Sequence, residues 1–142
     1  MNIQERQEAL VEEFSFFDDW MDKYEHLIEL GKSLPAIAPE HKTDDRLIKG
    51  CQSKVWLDAQ MQDGKVLFTA DSDAIITKGI VGILIRVFSQ ASPEEIVKAD
   101  TSFIDEMGLK EHLSPTRANG LVSMVKQMKL YALAFQTQME QQ

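Results

Sequence analysis

Gly50-Cys51-Gln52-Ser53 is where the side chains of this 142-residue chain first suggest chemistry, because Cys51 is its sole cysteine. One thiol excludes an intramolecular disulfide, a paired-thiol redox motif and a thiolate-rich zinc or iron–sulfur cage within a single chain. What remains is a packed inert thiol, a nucleophile, or an atom on which a group is covalently parked. Gly50 permits left-handed backbone angles and leaves room for another molecule to approach the sulfur. Lys49, and amides around Gln52 and Ser53, are the local features that would favour a thiolate. Free cysteine is also among the most buried residue types, so packing at a strand start explains the same atom. The residues alone leave both readings open.

Arg117 is the second candidate. It falls in the first turn of the last helical segment, where a cation opposes the helix dipole by roughly 0.3–1 kcal/mol. Gly120 follows in the same helix and costs about 1 kcal/mol relative to alanine. Two adjacent local penalties suggest that something else fixes these positions, although a surface carboxylate for Arg117 and close helix packing at Gly120 would also account for them. Asp71 and Asp73 form a carboxylate pair that suits metal binding or acid–base work, and helix capping explains both more economically. His26, His41 and His112 show no metal-ligand or triad spacing. No metal site is expected.

These residues need elements to hold them. Leu10, Val11, Phe14 and Phe17 recur at helical spacing, as do Trp20, Tyr24, Leu27 and Ile28 after Asp18-Asp19. The aspartates are expected to cap the second helix and Gly31 to close it in the left-handed position. Pro35 and Pro39 mark an ordered loop over 32–49, with Arg46-Leu47-Ile48 as a short strand entering the cysteine segment. Val55, Leu57, Ala59 and Met61 alternate with polar residues, Asp63-Gly64 supplies a tight turn, and Val66, Phe68 and Ala70 return: a hairpin. Asp71-Ser72-Asp73 then opens an apolar helix, in which Gly79 and Gly82 allow tight packing against the sheet. Ser92-Pro93-Glu94-Glu95 and Ser114-Pro115 start further helices, and a short one runs from Phe103 to Met107 and stops at Gly108. Leu121, Met124, Val125, Met128, Tyr131, Phe135 and Met139 form one stripe on the last helix. The expectation is α+β: one domain over 1–142, with a small antiparallel sheet of about three strands packed against several helices.

Bulk composition narrows the setting. Acidic residues outnumber basic ones 23 to 15, giving a net charge of −8, which argues against nucleic-acid binding. Apolar residues at 44% and charged residues at 27% are ordinary for a soluble globular chain. The apolar run from Ala74 to Phe88 falls short of the roughly 20 residues that span a bilayer, and Lys78 and Arg86 interrupt it, so no membrane contact is expected. The N-terminal residues lack a signal-peptide layout, and with the single cysteine this leads to a cytoplasmic expectation.

Several blocks together carry a family resemblance. They are Trp20-Met21-Asp22-Lys23-Tyr24, Ile28-Glu29-Leu30-Gly31-Lys32-Ser33-Leu34-Pro35 and Gly50-Cys51-Gln52-Ser53-Lys54-Val55-Trp56. Asp71-Ser72-Asp73-Ala74, Lys78-Gly79 and His112-Leu113-Ser114-Pro115-Thr116-Arg117-Ala118-Asn119-Gly120-Leu121 complete the set. In this order they resemble the SufE-type sulfur acceptors of iron–sulfur cluster assembly, whose fold is related to that of cluster scaffolds of the IscU type. The resemblance implies a PLP-dependent cysteine desulfurase of the SufS-like kind as partner, with an iron–sulfur scaffold further downstream. It implies that Cys51 accepts sulfur as a persulfide, stimulates the desulfurase and passes the sulfur on. It further implies no cofactor of the chain's own and no independent turnover, while the acidic balance of the chain favours a monomer or weak dimer. Cys51 would be the reacting residue, on a loop beside a sheltered apolar pocket. Gly50, Gln52, Ser53, Asp73 and Arg117 would position the loop or contact the partner. Ile75-Ile76-Thr77 departs from the smaller residues expected before Lys78-Gly79. A cluster scaffold is disfavoured by having one thiol. The alternative of another class is a non-catalytic regulatory module of a desulfurase in which Cys51 is structural.

Overall fold

The computed structural model describes residues 2–51 and 53–140, with Lys110 described by its backbone only. The chain runs α1 (Ile3–Ser15), α2 (Trp20–Lys32), two 3-10 turns (Pro39–His41 and Asp44–Arg46), β1 (Val55–Gln62) and β2 (Lys65–Ser72). It continues through α3 (Ile75–Phe88), α4 (Pro93–Lys98), α5 (Phe103–Glu106), α6 (Leu109–His112) and α7 (Pro115–Glu140). The class is α+β, as expected.

Local chemistry sets the boundaries. Asn2 and Glu5 form a reciprocal capping box on α1, and the Asp19 carboxylate accepts from the Asp22 amide at the start of α2. Ser92 Oγ accepts from the Glu95 amide with Pro93 at the first helical position. Asp63 and Gly64 both take positive φ, 53° and 78°, which closes the hairpin in the register Gln62↔Lys65 through Val55↔Ser72. Gly108, at φ 72°, separates α5 from α6.

Leu27, Leu57, Phe68, Ile80, Leu84, Phe88, Ile96 and Leu121 are all at most 1% exposed and belong to one hydrophobic cluster drawing on both strands and α1 to α7. Helix α3 lies at its centre, with ten of fourteen residues buried. Its tightest crossing is with α2. A Cβ on Gly79 would run into the Leu27 backbone carbonyl, and one on Gly31 would stand 3.0 Å from the Gly79 amide nitrogen. Gly79 and Gly82 therefore admit the neighbouring helix α2, and not the sheet that the sequence suggested. Gly31 lies inside α2, whose C-cap is Ser33, so it does not close the helix in a left-handed turn.

The sheet has two strands where about three were expected. The segment expected as a third, Arg46-Leu47-Ile48, makes only the isolated bridge Leu47↔Trp56 and the bond from the Ile48 amide to the Val55 carbonyl (2.9 Å). Its backbone is diverted by the 3-10 turn at Asp44–Arg46, which ends one residue before the bridge. The whole 33–50 segment is a strap across the hairpin. It touches the far edge as well, through the parallel bridge Ala36↔Ala70. Its anchor is Asp58, 7% exposed on the face of β1 that alternation marks as outward. Asp58 accepts from Arg46 Nε at 2.9 Å and pairs with His41 Nδ1 at 3.1 Å.

Candidate functional site

Strap and hairpin deliver Cys51 to the N-terminal part of α7. Gly50 takes φ 94°, the conformation in which a side chain is strained, and a Cβ there would stand 2.7 Å from Ser123 Oγ of α7. Gly120 is the counterpart on the helix: a Cβ added to it would lie 3.2 Å from Cys51 Sγ. The Sγ hydrogen points to the Gly120 carbonyl, with an S···O distance of 3.7 Å. Two glycines, one in the loop and one in the helix, thus make the close approach possible. The helix-propensity cost at Gly120 has its explanation here.

Cys51 is half-buried beside a cavity of about 280 Å³. Thr77 and Ile80 of α3 with Gly120 and Met124 of α7 form its buried floor, and exposed Ser114, Thr116 and Arg117 rim its mouth. Cys51 and Ser53 supply the loop side. Burial pushes the Cys51 thiol above its ordinary value. At rest the sulfur is therefore a neutral thiol with a solvent-facing opening next to it. The lining is mixed, with four hydroxyl residues and one guanidinium among two large apolar side chains, so the apolar pocket expected from the resemblance is not what surrounds this sulfur.

Arg117 and Ser53 share the cavity with Cys51. Asp73 serves a different point of the loop: its carboxylate accepts from the Lys54 amide at 3.0 Å, its own amide donates to the Lys54 carbonyl at 3.2 Å, and Ser72 Oγ donates to that carbonyl at 2.9 Å. The junction between the cysteine loop and β1 is clamped by these three bonds. Neither Asp71 nor Asp73 caps α3: its N-cap is Ala74, which has no capping side chain, and the Ala74 amide donates to Ser72 Oγ at 3.3 Å. Asp71 instead pairs with Lys42 (2.9 Å) and Lys78 (3.5 Å); burial raises its carboxyl, and these partners with the Ser72 amide outweigh that and hold it low. Gln52 lies outside the described residues. Thr77, which reads in the sequence as one more residue of a core helix, is the lining residue that sequence reasoning missed; the sole signal was its departure from the family pattern.

Among the described residues no group of three or more His, Cys, Asp and Glu side chains could hold a metal ion, and no helix is long and apolar enough to cross a membrane. His41 pairs with Asp58, His26 with Glu13 (2.7 Å), and His112 stacks on Trp20 at 4.0 Å between ring centroids.

The site is a lone thiol at the mouth of a small cavity in an α+β fold, and comparison with known proteins says which family the chain falls in. Residues 8–132 match the model of the SufE family, described as an Fe-S metabolism associated domain. An uncharacterized SufE-like protein of Rhizobium meliloti (strain 1021) is 38% identical over 127 residues, covering 86% of this chain and 91% of that one. One of Synechocystis is 39% identical over 127 residues, covering 89% and 80%. The solution structure of a hypothetical protein from Thermus thermophilus superimposes with a TM-score of 0.79 at 21% identity, over 93% of this chain and 96% of that one, which shows a shared fold. The chain belongs to the SufE family, and with it to iron–sulfur metabolism.

Proposed function

We propose that this protein is a sulfur carrier that takes sulfur from a PLP-dependent cysteine desulfurase of the SufS-like kind. The Cys51 thiolate attacks the terminal sulfur of the donor's cysteine persulfide. A new S–S bond forms at Cys51, the donor's S–S bond breaks, and the donor leaves as a thiolate. The carried sulfur then goes toward iron–sulfur cluster assembly. The observation that carries this reading is the placement of the chain's single thiol: half-buried, on a glycine-hinged loop, facing a cavity with an open rim. No second thiol in the chain can discharge a persulfide as an intramolecular disulfide.

In this reading Gly50 and Asp73 set the path of the loop, Ser53 and Arg117 line the space the sulfur enters, and the loop swings outward to meet the donor. The protein turns over only with its partner, in the cytoplasm, as one domain and as a monomer or weak dimer. The test is intact mass after incubation with a desulfurase and free cysteine. One added sulfur, about 32 Da, is expected on wild type and none on Cys51→Ser. Full stimulation of the desulfurase by Cys51→Ser would sink the proposal and leave a regulatory module with a structural cysteine.

A further inference from the structure

The Cys51 cavity contains more hydrogen-bond donors than shelter for a sulfur atom requires. Thr77 is 5% exposed and lines the floor, and its hydroxyl makes no hydrogen bond to a described residue. Among the described residues every sealed side-chain polar atom has a partner, so this hydroxyl is not sealed: it meets the cavity. Facing the cavity without a protein acceptor, this hydroxyl is available to donate to whatever occupies the space. Arg117 on the rim has no carboxylate partner among the described residues, and its place in the first turn of α7 is itself unfavourable. No Asp or Glu lines the cavity, in a chain with 23 of them. A space without carboxylates, with a free hydroxyl at its floor and a cation at its rim, suits an anion.

The proposed function supplies one. A hydropersulfide is a stronger acid than a thiol, because the adjacent sulfur helps to spread the charge of the conjugate base. Its terminal sulfur reaches about 2 Å beyond Sγ. We propose that this cavity is an anion seat in which the Thr77 hydroxyl and the Arg117 guanidinium hold the ionised terminal sulfur of a Cys51 persulfide. The inference rests on the sulfur-carrier reading and adds to it the form of the cargo and two residues that grip it. On loading, the Cys51 thiolate displaces the donor's thiolate, and the proton of the transferred S–H goes to water. No electrons enter or leave. The seat favours the loaded loop, because the empty site presents a neutral thiol that gains nothing from these donors. Sulfur acceptance then draws the loop inward with its cargo.

The test loads Cys51 without an enzyme. An aromatic disulfide converts the thiol to a mixed disulfide; hydrosulfide attacks Sγ, the aromatic thiolate leaves, and Cys51 carries –SSH. The persulfide is titrated by its near-ultraviolet absorbance in wild type, Thr77→Val, Thr77→Ser and Arg117→Gln, each checked for fold by circular dichroism. Thr77→Val keeps the shape and removes the donor; it is expected to weaken the persulfide acid about threefold, half a pH unit, and Arg117→Gln by at least as much. Thr77→Ser is expected to titrate like wild type. Coincident curves for wild type and folded Thr77→Val would overturn the seat. So would an equal shift in the unloaded thiol, followed by alkylation rate, since that reports general polarity and no grip on the added sulfur. If Thr77→Val does not fold, an unshifted Arg117→Gln overturns the seat by itself. A failure of the desulfurase to load Cys51 refutes the carrier reading and leaves this titration standing, so the two ideas fail separately.

Discussion

At the scale of single residues, the Cys51 sulfur is governed by what is missing beside it. Gly120 supplies no side chain where a Cβ would press to 3.2 Å from Sγ, closer than a carbon and a sulfur rest. Gly120→Ala should therefore push the loop away from α7 while gaining up to about 1 kcal/mol of helix propensity. The expected outcome is faster alkylation of Cys51 with thermal stability held or raised. Burial, which raises the thiol, gives a second expectation: the alkylation rate of wild type should climb with pH to a midpoint above that of a free cysteine, and unfolding in denaturant should bring the midpoint down. Cys51 and Gly50 were legible in the sequence because a lone thiol behind a glycine has few bland explanations. Arg117 was legible through the penalty it incurs. Thr77 was not, since one hydroxyl in an apolar helical run looks like core, and its exposure to a cavity depends on where α7 crosses α3.

At the scale of elements, the hairpin was readable from alternation and Asp63-Gly64, and the helix starts from their caps. What the sequence hid was the strap. Alternation puts Asp58 on the solvent face of β1, and the strap buries it under Arg46 and His41, a long-range arrangement that no local period reports. Asp58→Asn keeps the size and removes the charge, leaving Arg46 without its carboxylate. It is expected to cost about 1–3 kcal/mol, because both partners, Arg46 and His41, remain partly exposed and recover some hydration. Hydrogen exchange should rise first across 39–51, and unchanged exchange there would show that the strap is held by other means. The α2–α3 crossing makes a sharper demand. Gly79→Ala forces a methyl group against the Leu27 carbonyl, and overpacking of this kind costs about 1–3 kcal/mol, read as a drop in the unfolding midpoint. The carboxylates before α3 misled because capping is the common use of Asp-Ser-Asp, whereas here they serve the strap and the cysteine loop.

At the scale of the whole molecule, electrostatic ties join elements far apart in sequence. Glu13 of α1 accepts from Arg86 of α3 at 2.8 Å and meets His26 of α2 at 2.7 Å, and the Arg86 bond is the chief reason its carboxyl is held below the ordinary 4.5. A carboxyl lowered by folding stabilises the native state above its ordinary value, and that stabilisation is lost as pH falls through the lowered one. Glu13→Gln should therefore cost under about 1 kcal/mol near neutrality, since the pair is partly exposed, and should flatten the acid limb of the stability curve. An acid limb identical to wild type would mean that the tie contributes nothing. Net charge and the absence of a basic run were legible at once; the tie among three helices was not, because it joins residues up to 73 apart. The strap has one more consequence. With Leu47 bridged to Trp56 on one side of the hairpin, and Ala36 and Ala91 bridged to Ala70 and Val66 on the other, both flanks of the ladder are already engaged. A visiting polypeptide would have to displace these segments to pair along the whole ladder, which favours recognition through side chains and helix ends.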